Sequence, residues 1–95
     1  MEKINLLDTF IHMLEARMKG VNLNIRKENG SVFIRLSDQW SNQHLDIEVM
    51  HEHVKQFYGG AAVLADLVAQ RLMVYKNSFD KSHRLQEWRN RHGIR

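Results

Sequence analysis

Residues 21–36 leave this chain the least freedom. Val21, Leu23 and Ile25 alternate with Asn22, Asn24 and Arg26, Glu28-Asn29-Gly30 intervenes, and the alternation resumes with Val32, Ile34 and Leu36. A period of two places each apolar set on one face of a strand, and Asn-Gly between two such runs predicts a hairpin. A third alternation, Leu45, Ile47 and Val49 against His44, Asp46 and Glu48, follows the polar linker Ser37–Gln43. Together they predict a three-stranded antiparallel meander.

The flanking segments have a different period. Ile4, Leu7, Ile11, Leu14 and Met18 follow the 3–4 spacing of an amphipathic helix over about residues 2–18, widened by Leu6, Phe10 and Met13 and stopped at Gly20. Residues 51–58 read equally as a short helical turn or a loop, and Gly59-Gly60 marks a break. The run 61–75, AAVLADLVAQRLMVY, is rich in Ala and Leu and predicts a helix that is apolar nearly all round. Asn77-Ser78 reads as its end, with Ser78 capping a last helix over about 79–92 and Gly93-Ile94 closing it in a Schellman-type turn. The expected fold is α+β, in the order α-β-β-β-α-α, a single domain over 1–95 with helices on one face of the sheet.

The 95 residues include no Cys and no Pro. The absence of Cys excludes a disulfide framework, a thiolate metal site and a Cys nucleophile, and favours the cytoplasm. The first twenty residues are interrupted by Glu2, Asp8 and Glu15, unlike the unbroken apolar run of a signal peptide. No stretch has the length to span a bilayer, so no membrane partner is expected.

Charge is unevenly placed. Residues 76–95 hold Lys76, Lys81, Arg84, Arg89, Arg91 and Arg95 against Asp80 and Glu87, a local +4 in a chain whose net charge is +3. At 100° per residue Lys81, Arg84, Trp88, Arg91 and Arg95 share a sector of about 80°. Guanidinium forks there suit phosphates or carboxylates, and an indole among them supplies contact area or a stacking surface. The competing reading makes Trp88 and Leu85 the core side of this helix, with arginine stems passing over them.

The αβββα order of residues 2–75 resembles the double-stranded RNA-binding domain, which grips successive grooves with its first helix, first strand loop and the start of its second helix. Arg26 and Lys27 stand at the first strand loop. Where that family carries a lysine cluster, this chain has Gly59-Gly60-Ala61-Ala62-Val63. The likeness is of topology alone.

His44, His51 and His53 lie among Asp46, Glu48 and Glu52, a donor set with metal chemistry. Strand parity separates them, placing His44, Asp46 and Glu48 on the solvated face and His51 and His53 in the following turn, so no metal or cofactor is expected. Ser31, Ser37, Ser41, Ser78 and Ser82 lack a nucleophile context, and no phosphate-binding glycine loop exists. No enzyme is expected.

The expectation is therefore a small non-enzymatic binding protein. Lys81, Arg84, Trp88, Arg89, Arg91 and Arg95 would dock on an acidic or phosphate-rich macromolecular surface, and occupying it would regulate or inhibit a nucleic-acid-handling complex. Such compact chains resemble in style phage and mobile-element inhibitors. The alternative is direct, sequence-nonspecific binding of DNA or RNA by the same residues. Secondary contact candidates are Arg26, Lys27, Trp40, Phe57 and Tyr58. The apolar supply, including Val63 and Leu67, exceeds what one small sheet face can cover, which makes a second copy of the chain a further candidate partner.

Overall fold

The computed structural model describes residues 5–57 and 59–93. Its order is α1 (Leu6–Arg17), β1 (Leu23–Glu28), β2 (Ser31–Ser37), β3 (His44–Met50), α2 (His51–Gln56) and α3 (Gly60–Arg91). The fold is α+β, with an open antiparallel sheet in the order β1-β2-β3.

Asn29 and Gly30 both take positive φ, 47° and 78°, between the paired ends Glu28 and Ser31. That is the backbone a two-residue hairpin demands of its central pair. The register aligns Leu23, Leu36 and Leu45 in one cross-strand row, and Ile25, Ile34 and Ile47 in the next. These rows face the helices: Val32, Ile34, Leu36 and Val49 are buried with Phe10 and Leu14 of α1, Val54 of α2 and Val68 and Leu72 of α3. The opposite face is polar. There Arg35 makes a two-pronged contact with Asp46 at 2.7 and 2.9 Å, Ser31 donates to Glu48 at 3.1 Å, and Arg26 lies over the Phe33 ring.

Helix α1 starts later than the spacing predicts, because Asn5 accepts the N–H groups of Leu7 and Asp8 at 3.1 and 3.3 Å and so caps it. Residues 1–4, with Ile4 of the predicted stripe, lie outside the described residues. The ambiguous stretch after β3 contains a short helix, held by buried Val54 and by His53 Nδ1, which accepts the Met50 N–H at 3.1 Å. Gly59 enters α3 at φ 98°, where a Cβ would stand 2.7 Å from Val63 Cγ2. Only glycine fits there without displacing Val63.

The predicted break at Asn77-Ser78 is absent. Helix α3 continues through it for 32 residues, so the two helices after the sheet are α2 and α3 rather than two halves of the last segment. Asn and Ser cost a helix only about half a kcal/mol each, while Leu72 and Phe79 pack on the core to either side and Lys76 bridges Asp80 at 2.7 Å. Ser78 is exposed on the far side of the helix and caps nothing.

Candidate interaction surface on the third helix

A 32-residue helix is about 48 Å long, while the molecule measures 65 × 23 × 20 Å. The strands, at most seven residues long, span only about 23 Å, so helix α3 outruns the body. Its inner face, from Ala65 through Val68 and Leu72 to Phe79, packs against α1 and the sheet. The Trp40 ring, folded back from the β2–β3 loop, stacks on His83. Every residue from Arg84 to Gly93 is exposed, so roughly 12 Å of helix stands clear of the body. Isolated, that piece would be too short to stay helical. It propagates from an anchored helix, is rich in good helix formers, and ends with Arg89 and Arg91 beside the negative end of the helix dipole. The His92 and Gly93 N–H groups close it on Trp88 O and Asn90 O; Ile94 of the predicted closing turn lies outside the described residues.

This projecting end carries Arg84, Arg89 and Arg91 of the predicted cations, and Lys81 stands just before it. Lys81, Arg84, Arg89 and Arg91 are exposed, and among the described residues none has a carboxylate within ion-pair distance. Of the two acids here, Asp80 is held by Lys76 and Glu87 lies 3.4 Å from His83. Trp88 is not core: it is 49% exposed and stacks on His92 with ring centroids 4.3 Å apart. Leu85, 48% exposed, lies beside it. Arg95 lies outside the described residues.

The secondary candidates do not join this surface, with one exception. Arg26 pairs with Glu28 on the open sheet face, and Lys27 holds Asp8 of α1 at 2.8 Å; both cations are engaged within the chain. Phe57 is half-buried at the end of α2, its carbonyl accepting the Gly60 N–H. Tyr58 lies outside the described residues. Trp40 is the exception, carried to α3 by its stack on His83.

The sequence places surplus apolar surface at Val63 and Leu67 but misses its extent along α3 and one further feature. Val63, Leu67, Val74, Leu85 and Trp88 are all exposed and fall within about 60° of one another, directly opposite the core face of α3. Leu67, Val74, Lys81 and Trp88 are seven apart, a spacing that could have revealed the stripe had α3 been read as one helix. The further feature is a groove of about 460 Å³ between β3 and α3, lined by Leu45, Ile47, Leu64, Leu67 and Tyr75 among others.

Comparison with protein families, curated proteins and solved structures gives no match. The chemistry of the surface therefore rests on its own residues. For His44, His51 and His53, His53 is engaged as the Met50 cap, and among the described residues no three His, Cys, Asp or Glu groups converge. No helix among the described residues is long and apolar enough to cross a membrane.

Proposed function

We propose that this chain is a non-enzymatic, cytoplasmic binding protein that presents the projecting end of α3 to an acidic or phosphate-rich surface of a macromolecular partner. By covering that surface it regulates or inhibits a complex that handles nucleic acid. One observation carries the reading: Lys81, Arg84, Arg89 and Arg91 stand exposed, without a carboxylate partner among the described residues, on a helix that has left its own body. Cations gathered for solubility alone need no rigid support and no aromatic among them. Here the helix fixes their spacing, so guanidinium groups can make charge-assisted hydrogen bonds while Trp88 and Leu85 supply buried area.

The test compares the wild type with a variant in which Arg84, Arg89 and Arg91 are all replaced by Ser, as baits in native cytoplasm. The wild type is expected to retain a partner at fixed stoichiometry that the variant loses, with residual binding at high salt from Trp88 and Leu85. Equal recovery by both baits contradicts the proposal. Binding of the wild type to any duplex DNA, with affinity falling steeply as salt rises, would instead establish direct nucleic-acid binding.

A further inference from the structure

The two edges of the sheet are built differently. On β1 the helix-facing row ends in Lys27, which shares its cross-strand row with Val32 and Val49 and is held by Asp8. An inward-pointing charge is a device that keeps an edge strand from pairing with another chain. On β3 the same row is Leu45, Ile47 and Val49, with no charge and no proline, and Leu45 and Ile47 are only half-buried because the groove against α3 opens beside them.

Among the described residues the backbone of β3 is also free on its outer side. The Asp38 N–H donates to Gln43 O at one end of the β2–β3 ladder and the His51 N–H to Gly30 O at the other. Alternation between these points turns the N–H and C=O groups of His44, Asp46 and Glu48 outward. Among the described residues none of these groups has a backbone partner outside the sheet.

We propose that β3 is a strand-capture site, taking an extended segment of a partner in which apolar residues alternate with basic ones. The added strand would place its apolar side chains over Leu45 and Ile47 into the groove, and its other side chains on the open face beside Asp46 and Glu48. Cations there meet Glu48, which among the described residues accepts only the Ser31 hydroxyl, and to a lesser degree Asp46, whose charge is shared with Arg35. A second copy of β3 is a poor occupant. Paired antiparallel about Ile47, Asp46 would face Glu48 of the other copy, and a shift that keeps the faces aligned brings Asp46 or Glu48 onto itself. This site does not depend on the cations of α3.

The probe is a seven-residue peptide with blocked ends, alternating lysine and valine, matched to His44–Met50 and followed by amide NMR. Saturable binding is expected, with shifts confined to 44–50 and the facing residues of α3, and with slowed exchange of the Asp46 and Glu48 amides. A glutamate–valine peptide should bind less well, although the chain's net charge of +3 would favour it if attraction were unspecific. Glu48→Lys, on the exposed open face, should weaken the lysine peptide about fivefold and make the glutamate peptide the better ligand. Ile47→Lys, which copies the inward charge of β1, should abolish both. The proposal is overturned if the lysine peptide does not bind at millimolar concentration, if a peptide of the same composition in blocks binds equally, if the shifts fall on residues 81–91, or if sedimentation shows the chain dimerising through β3.

Discussion

Trp40 of the β2–β3 loop lies flat on His83 of α3, with ring centroids 3.9 Å apart and planes 5° from parallel. It is the outermost contact between helix and body, and it divides α3 into an anchored part and a presented part. The loop is braced to hold it there: Asp38 accepts the Trp40 N–H at 3.2 Å and the Ser41 hydroxyl at 2.6 Å. A stacked pair contributes roughly 0.5–1.5 kcal/mol beyond its buried area. A double-mutant cycle over Trp40→Ala and His83→Ala, read by urea unfolding, should return a coupling in that range, and Trp40→Ala should speed amide exchange at residues 79–83.

The two parts of α3 should respond very differently to truncation. Leu72 is fully buried, and Leu72→Ala should cost about 3 kcal/mol or more. Leu85→Ala removes a similar side chain from the presented part and should leave unfolding within about 0.5 kcal/mol of wild type. Chemical denaturation of both variants checks the contrast; a large cost for Leu85→Ala would mean that the presented part packs on its own chain.

Helical continuity matters for presentation and not for the body. Gln86→Pro removes an interior hydrogen bond and clashes with the preceding turn, so circular dichroism should show loss of roughly the last two helical turns. The melting temperature of the body should hardly move, because every residue from 84 to 93 is exposed. Partner retention should fall as far as it does when Arg84, Arg89 and Arg91 become Ser.

On the open face, the Arg35 guanidinium holds the Asp46 carboxyl below the ordinary aspartate range, first through its hydrogen bonds; desolvation opposes this, and the charges of Arg35 and then His44 add to the lowering. A carboxyl lowered in the folded state stabilises the fold above the ordinary carboxylate range and loses that contribution as pH falls through its folded value. Arg35→Gln should move Asp46 up toward the ordinary range in a carboxyl NMR titration and make stability less sensitive to acid. An unchanged Asp46 titration would show that the pair is not formed in solution.

The strands were legible because period-two patterning and Asn29-Gly30 agree at every position from Leu23 to Leu36. In α3 local and long-range signals disagree. Asn77-Ser78 carries a weak local stop, but Phe79 reaches the core two residues later and the Lys76–Asp80 pair spans the gap, so packing overrides propensity. The cations of the last segment were legible as a charge excess, since composition alone locates them. That Trp88 faces solvent was not, because its side of the helix depends on where the body ends, and the Trp40–His83 contact that sets this limit joins residues 43 positions apart. The β3 groove was hidden for the same reason: alternation shows which face of a strand is apolar, not whether a neighbour covers its edge.

Amide exchange along α3, with the captured partner present and absent, tests most directly whether the presented end is where binding happens. In the free protein residues 84–91 should exchange far faster than 65–72, and the partner should slow exchange chiefly at 81–91. Protection that falls elsewhere, with 81–91 exchanging as fast as in the free chain, would contradict the assignment of this helix end as the docking surface.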